Sequence, residues 1–218
     1  MCGRFTLTEE IKAIRDHFAA VNQVEFTASY NISPSHEIPA VRLTDDNKKE
    51  IFLCHWGLIP HWSKPDSKYK AINARAETLA DKPFFRDAFR HRRCLIPANG
   101  FYEWKKQNGS KQPYYFNIED SPIFAFAGLW EYWQGDKQAV ESSTIVTTAA
   151  NKFMSSYHER MPVILNPDNY DEWLETGDKN LLVPYQGEME CYPVSKYVNN
   201  PKNNGKDLIQ PVTVKSEK

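Results

Sequence analysis

Apolar residues recur along most of this chain with the two-residue period of β-strands, and the helical period appears only in short stretches. The helical stretches are residues 9–20, 81–93, 151–157 and 166–177. In the first of them Ile11, Ile14 and Phe18 would share one face, and Thr8 is placed to cap the helix. The pattern therefore predicts helices that are few and short.

Strands are predicted mainly in hairpins, because alternating runs are separated by residues typical of turns. The paired runs are 38–43 with 49–56, 101–106 with 113–118, and 123–130 with 139–147, and a late strand is predicted near 189–194. The predicted turns are Asp45-Asp46-Asn47, Asn108-Gly109 and Gln134-Gly135-Asp136. The 14 prolines against 9 glycines also indicate many loops and short strands rather than a helical bundle.

The composition is ordinary for a soluble globular protein of one domain, or at most two small ones, with 218 residues, 41% hydrophobic and 25% charged. The net charge of −1 argues against a large basic surface, so any nucleic-acid site must be a local patch. The cysteines are scattered without a Cys-x-x-Cys pair, which argues against a zinc knuckle and a disulfide framework. They are Cys2, Cys54, Cys94 and Cys191. With no signal peptide and no apolar run of membrane-spanning length, a reducing cytoplasmic location is expected.

The first residues, Met1-Cys2-Gly3-Arg4-Phe5, place a cysteine directly after an excisable methionine. Removal of Met1 would leave Cys2 with an α-amine and a thiol, which titrate near ~8 and ~8.5 in model compounds, so a modest environmental shift would make both usable at neutral pH. Such a pair condenses with an aldehyde to a Schiff base and then closes to a five-membered thiazolidine. The simpler interpretation is a buried structural cysteine, and these five residues alone favour it.

Residues suited to proton transfer occur further along the chain. Asn73, Arg75 and Glu77 would share one face if extended, either as a polar pocket wall or as a solvated edge. Glu103 shares a predicted strand face with Phe101, where burial would raise the pKa of its carboxyl and suit it to proton transfer. An ion pair on a sheet surface is the alternative for Glu103.

Three further features have both a functional and a structural interpretation. His158 follows the predicted helix 151–157, whose dipole would favour the protonated ring, although lone histidines are more often structural. Trp56 is predicted in the core, whereas Trp62, before a polar loop, is the better candidate for an exposed base-stacking residue. The most basic stretch, 86–93, has the pattern of a solvated helix face.

Together these segments resemble the SRAP family, the SOS-response-associated peptidase or abasic-site-processing family. The motifs that carry the resemblance are Met1-Cys2-Gly3-Arg4-Phe5, Tyr30-Asn31-Ile32-Ser33-Pro34, Trp56-Gly57-Leu58-Ile59-Pro60 with Trp62, Asn73-Ala74-Arg75-Ala76-Glu77-Thr78, Cys94 to Trp104, Phe126-Ala127-Gly128-Leu129-Trp130, Thr147 to Ala150, and His158-Glu159-Arg160-Met161-Pro162. The resemblance implies a single α+β SRAP-type domain, 1–197, with a barrel-like antiparallel β-sheet and short flanking helices. Residues 198–218 are predicted to form a polar C-terminal tail that adds little to the core.

For function, the resemblance implies a covalent bond between mature Cys2 and the ring-opened aldehyde of an abasic site in single-stranded DNA. Asn73 would position the amine and thiol, Glu103 would shuttle protons, and His158 would serve as acid and base in ring opening and crosslink reversal. The residues implied to contact DNA are Arg4, Asn31, Trp62, Arg75 and Thr147. No metal, cofactor or membrane is implied, and we expect a monomer, cytoplasmic and nucleoid-associated when bound to DNA, or nuclear in a eukaryote.

Two other classes of function remain open at this stage. A Cys2-dependent peptidase, acting on itself or on other proteins, is the first, since N-terminal cysteine nucleophiles occur in hydrolases. A lyase activity on the abasic site would also be compatible with the same residues. The second class is a non-covalent single-strand binder in which Cys2 is structural, and a denaturing gel separates it from the covalent alternative.

Overall fold

The computed structural model describes residues 2–64, 69–107, 109–119, 121–135 and 138–214, and over these ranges it contains thirteen β-strands and three α-helices. The strands are β1 (Phe5–Leu7), β2 (Ser29–Ile32), β3 (Glu37–Leu43), β4 (Lys49–Trp56), β5 (Asn73–Arg75), β6 (Arg93–Ala98), β7 (Gly100–Gln107), β8 (Ser110–Ile118), β9 (Phe124–Gln134), β10 (Ala139–Ala149), β11 (Arg160–Pro162), β12 (Ile164–Leu165) and β13 (Met189–Pro193). The helices are α1 (Ile11–Phe18), α2 (Pro83–His91) and α3 (Tyr170–Thr176).

The strands form two sheets. The small sheet has five strands in the order β13-β8-β7-β1-β2. In the larger sheet, called the ring sheet below, β10 pairs with both β4 and β9, so that β4, β3, β6, β9 and β10 close a ring. This arrangement confirms the expected α+β fold with a barrel-like sheet. It differs in one detail, because β10 runs parallel to β4 and β5.

Aromatic side chains from the two sheets meet in one core. Phe5 on β1 packs edge-on against Trp56 on β4, with ring centroids 5.1 Å apart, and against Phe126 on β9 at 5.8 Å. Phe101 on β7 also contacts Phe126, at 6.0 Å. Trp56 is completely buried, which confirms its predicted place in the core. Packing across the two sheets therefore fixes the position of β1, and with it the start of the chain.

The predicted hairpins are present, as β3–β4, β7–β8 and β9–β10. In the β7–β8 hairpin Gln107 pairs with Ser110, which leaves two residues for the turn. One residue of that turn, Asn108, lies outside the described residues, as do Asp136 of the third predicted turn and positions 65–68 of the polar loop. The late strand is confirmed as β13.

The helices are shorter than predicted, and two expectations about their ends are wrong. Thr8 does not cap α1, because its backbone N–H donates to Asn99 Oδ1 at 2.5 Å and the helix begins at Ile11. The helix predicted over 151–157 is a single 3-10 turn, Met154–Ser156. The first difference arises from a contact between residues that are distant in sequence.

The basic stretch at the end of α2 is partly structural rather than a simple solvated face. The guanidinium of Arg93 donates to the carbonyl of Leu174 at 3.0 Å, at the C-terminal end of α3, where acceptors lack helical partners. Arg92 pairs with the buried carboxylate of Glu131 at 2.8 Å. These two arginines therefore join α2 to α3 and to β9.

The C-terminal segment contributes more to the core than its polarity suggests. Val198 and Leu208 are fully buried on the outer face of the small sheet, in a second cluster with Tyr102, Tyr115 and Val194. The expectation that the tail adds little core is therefore wrong for this part of it, while the domain boundary at 197 stays a prediction. No helix in the described part of the chain is long and apolar enough to cross a membrane.

We expect Leu208→Ala to lower the free energy of unfolding by about 2–5 kcal/mol, because it leaves a cavity in a packed cluster. Urea denaturation followed by tryptophan fluorescence measures this change. Val212→Ala is the matched control, since Val212 is 37% exposed and its loss should stay within about 0.5 kcal/mol. Equal effects of the two substitutions would show that the tail is not part of the cooperative unit.

Candidate active site

Cys2 lies directly before β1, completely buried where the small sheet meets the ring sheet. Its backbone carbonyl accepts a hydrogen bond of 2.8 Å from the side-chain amide of Asn73. Asn73 is held in place because β5 pairs with β10, with Asn73 opposite Ile145. This bond ties the backbone carbonyl of Cys2 to the ring sheet, and the predicted role of Asn73 in positioning the amine and thiol stays a prediction.

Glu103 is brought to the same place by the pairing of β1 with β7. Phe5 lies opposite Phe101, and the backbone N–H of Tyr102 donates to the carbonyl of Arg4 at 2.9 Å, so the next residue of β7 lies beside the residues preceding β1. The Glu103 side chain is 4% exposed. Burial raises the pKa of its carboxyl above the ordinary value, which confirms the direction expected from its strand face.

The imidazole of His158 lies within electrostatic reach of Glu103, and its positive form partly offsets the effect of burial on the pKa of that carboxyl. The backbone N–H of Arg160 donates to Nδ1 of His158 at 2.9 Å, so the neutral ring carries its proton on Nε2. The helix-dipole argument for His158 does not hold, because the preceding element is a three-residue 3-10 turn. The geometry instead leaves Nε2 as the ring nitrogen for proton exchange.

The thiol of Cys2 is shifted in the opposite direction to the one expected. Burial, and secondarily the charge of Glu103, raise its pKa far above the ordinary value, while the backbone N–H of Arg4 opposes this shift. The thiol is therefore protonated at neutral pH in this structure. Any nucleophilic step at sulfur requires a group that takes up its proton, or a positive charge that forms beside it.

A second polar group adjoins these residues and involves Arg160, whose side chain carried no predicted role. Its guanidinium forms a two-pronged ion pair with Glu77, with one arm at 2.9 Å, and donates to the backbone carbonyl of Thr147 at 2.7 Å. The ion pair lowers the pKa of Glu77. Because Arg160 also holds His158, it connects the histidine to the segment that carries Asn73. In the sequence, this pair could have been suspected because Glu77 and Arg160 carry opposite charges in two of the motifs quoted above.

Two of the residues predicted to contact DNA lie beside this group. Thr147 is fully buried, and its hydroxyl points to the carbonyl of Ala74 at 3.4 Å. Arg75 lies opposite Thr147 in the pairing of β5 with β10 and is exposed. Arg75 thus presents a cation at the surface above the site, while Thr147 supports the backbone beneath it.

Arg4 and Asn31 contact the C-terminal segment rather than an open surface. Nη1 of Arg4 donates to Asn31 Oδ1 at 2.6 Å and to the carbonyl of Val198 at 2.7 Å. The amide nitrogen of Asn31 donates to the carbonyls of Asn200 and Asn203 at 3.0 and 2.7 Å. The predicted contact of Arg4 and Asn31 with DNA stays a prediction. In the structure, the hydrogen-bonding groups of these two side chains are engaged with each other and with the C-terminal segment.

Trp62 lies within the loop between β4 and β5. Its side chain is 54% exposed, as expected, and its ring packs edge-on against Phe84 of α2 at 6.2 Å. Tyr69 contacts the same phenylalanine at 5.2 Å. Across the described residues, no group of three or more His, Cys, Asp or Glu side chains is placed to hold a metal ion.

The chain is similar to known proteins along most of its length. Residues 1–201 match a family model described as SOS response associated peptidase (SRAP). The chain is 42% identical over 223 residues to abasic site processing protein YoqW of Bacillus subtilis, covering 96% of this chain and 99% of that protein. It is 31% identical over 232 residues to abasic site processing protein YedK of Escherichia coli, covering 97% and 100%. A solved structure from Bacteroides thetaiotaomicron, 24% identical, superposes with a TM-score of 0.88 over 97% of this chain and 100% of that one, a likeness of fold.

The raised pKa of Glu103 predicts a pH-dependent effect of Glu103→Gln on stability. The native carboxyl holds its proton to a higher pH than the unfolded one, so its stabilising contribution is complete below the unfolded-state pKa and is lost as pH rises through the folded-state value. The variant should therefore gain stability relative to wild type as pH rises above about 4, the unfolded-state value. Urea denaturation at several pH values measures the difference. In the same series Glu25→Gln, which changes an exposed side chain outside any helix, should stay close to wild type, and a flat result for Glu103→Gln would contradict the burial argument.

Proposed function

Because the chain belongs to the SOS response associated peptidase (SRAP) family, we propose that it processes abasic sites in single-stranded DNA through a covalent bond to Cys2. One observation carries this proposal, namely the meeting of Cys2, Asn73, Glu103 and His158 at one place between the two sheets. The names of the relatives, which are abasic site processing proteins, give the substrate class.

The proposed reaction joins one aldehyde to one aminothiol with loss of one water. Once Met1 is removed, the α-amine of Cys2 adds to the aldehyde carbon of the ring-opened sugar and gives a carbinolamine. Loss of water from the carbinolamine gives an imine, with a C=N bond in place of C=O. The sulfur then adds to that carbon, the thiol proton passes to nitrogen, and a five-membered thiazolidine closes.

The protonation state of Cys2 favours the amine as the first nucleophile. Burial raises the pKa of the thiol, so the sulfur is a poor nucleophile before the aldehyde arrives. A protonated imine, whose nitrogen lies three bonds away from the sulfur, lowers the cost of the thiolate, because opposite charges attract strongly in a dry site. The thiol therefore becomes reactive only after the imine exists, which protects Cys2 from other electrophiles.

Glu103 and His158 supply the proton transfers that this sequence needs. Burial raises the pKa of the Glu103 carboxyl, so it keeps its proton to a higher pH than an exposed carboxyl and can give that proton to the departing hydroxyl of the carbinolamine. His158 offers Nε2, since Nδ1 is occupied by the backbone of Arg160, and its proton serves opening of the sugar ring. Asn73 acts by position, because it fixes the carbonyl of Cys2 and so the direction of the amine.

The DNA strand would be held by groups at the surface around this site. Arg75 is exposed beside the Arg160–Glu77 pair, and it can donate to a phosphate without losing an internal partner that the site needs. Trp62 offers an exposed ring on which a base can stack. A covalent bond and a few such contacts suffice for a protein whose net charge is −1.

Incubation with single-stranded DNA that contains one abasic site should give a protein–DNA band stable to SDS and heat. Cys2→Ser keeps the amine but forms no thiazolidine, so that band should disappear and leave at most an imine that borohydride traps. Cys54→Ser is the matched control, because Cys54 is equally buried and should leave the band unchanged. A durable band from Cys2→Ser, or from protein that retains an N-terminal tag, would exclude thiazolidine chemistry.

Arg75→Ala should weaken binding to single-stranded DNA and make it less dependent on salt. Each lost phosphate contact lowers the slope of log affinity against log salt by about 0.7 for single strands. Fluorescence anisotropy across a salt series measures both quantities. Arg15→Ala removes a guanidinium on α1 that is already paired with Asp16 at 2.6 Å, and should change neither. Equal slopes for the two variants would remove Arg75 from the binding surface.

A further inference from the structure

We propose that a groove beside the active site binds the nucleotide adjacent to the abasic site, stacking its base on Phe153 and holding its phosphate with Lys105 and Lys152. The groove, called the aromatic groove below, is lined by Lys105, Lys152, Phe153, Ser156 and Tyr157 and has a volume of about 620 Å³. This inference rests on the proposed function, which supplies the strand, and adds to it a second site on the same face.

The aromatic groove is continuous with the residues around Cys2. Lys105 lies two residues after Glu103 and therefore on the same face of β7. Tyr157 directly precedes His158, and its ring packs against Tyr114 with centroids 4.9 Å apart. Tyr114 is in turn the β8 residue opposite Glu103. A strand whose abasic sugar reaches Glu103 and His158 must therefore pass next to this groove on one side.

Phe153 has the surroundings that a stacking residue needs. Its side chain is 42% exposed, although it is a large apolar group. It is supported from within, because its ring lies 6.3 Å from that of the fully buried Phe116 and 6.4 Å from that of Tyr157. An exposed aromatic ring that rests on the core keeps its orientation, so a base can stack on it at little cost in conformational entropy.

The charges in the groove favour a nucleic-acid strand as the occupant. Lys105 and Lys152 supply two ammonium groups, and no carboxylate is found among the described residues that line the groove. Nζ of Lys105 lies over the ring of Tyr157 at 4.8 Å, which holds one ammonium at the wall. Two cations beside an exposed aromatic ring match the alternating phosphates and bases of a single strand.

An abasic substrate makes such a site useful for a physical reason. The abasic nucleotide has no base, so it contributes no stacking energy when it enters the site. Stacking energy for binding the strand must then come from neighbouring nucleotides, each of which can supply about 1–3 kcal/mol by stacking on an aromatic side chain. The aromatic groove lies where the first of these neighbours would be.

The test uses wild-type protein and single strands carrying a tetrahydrofuran abasic analogue, which has no aldehyde and so reports non-covalent binding. The strands are trimmed one nucleotide at a time from either end up to the analogue. Phe153→Ala should weaken binding of the untrimmed strand about 5- to 150-fold. Trimming one particular end should remove this difference, because wild type then has no base to place on Phe153.

Neighbouring lysines on β7 provide the matched control. Lys105→Ala should lower the salt slope by about 0.7 for the untrimmed strand, since one phosphate contact is lost. Lys106→Ala removes the same charge from the opposite face of β7 and should leave affinity and slope unchanged. Circular dichroism melting of each variant shows whether the fold is kept, and Lys105→Ala still tests the groove if Phe153→Ala does not fold.

Failure of this inference can be told from failure of the proposed function. If wild type forms no SDS-stable band with an aldehyde-containing strand, the proposed function is wrong. If the band forms but Phe153→Ala binds every strand as wild type does, the groove does not hold a nucleotide. A loss that stays the same at every strand length also overturns the inference, because Phe153 would then affect binding of the abasic nucleotide itself rather than of a neighbouring base.

Discussion

Burial of Cys2 and Glu103 between the two sheets sets the chemistry that either group can perform. The same loss of water raises the pKa of the thiol and of the carboxyl, so both hold protons at a pH where the exposed groups would release them. This constraint depends on the fold as a whole, since Phe5 must pack against Trp56 and Phe126 for β1 to lie where it does. A site built in this way keeps the carboxyl a weak acid and the thiol unreactive.

The charged groups around the buried Cys2 and Glu103 differ in how deeply they are buried. Glu103 is the buried carboxyl, His158 is half-buried, and the Arg160–Glu77 pair lies at the edge, where Arg160 also orients the histidine through its backbone N–H. Exposed cations such as Arg75 lie at the surface of the protein. Arg160 pairs with Glu77 and orients His158, so the exposed Arg75 lies outside groups that are already held by one another.

The features predicted from the sequence are those decided by neighbours along the chain. The hairpins follow from alternation and turn residues, and the raised pKa of Glu103 follows from the strand face that it shares with aromatic residues. Errors occur where a distant segment decides the outcome. Thr8 bonds to a loop residue instead of capping α1, Leu208 reaches the small sheet from the tail, and the pKa of Cys2 moves upward because a second sheet covers it. Periodicity carries no information about such partners.

Resemblance between motifs does not separate residues that hold the fold from residues that meet a ligand, but hydrogen bonding does. Asn31 uses its amide nitrogen on backbone carbonyls of the C-terminal segment and its oxygen on Arg4, so contact with a strand would first have to break bonds that anchor that segment. Arg75 and Trp62 are exposed and can meet a ligand without such a loss. Since breaking a buried polar contact costs about 1–3 kcal/mol, we expect the strand proposed above to engage Arg75 and Trp62 before Asn31.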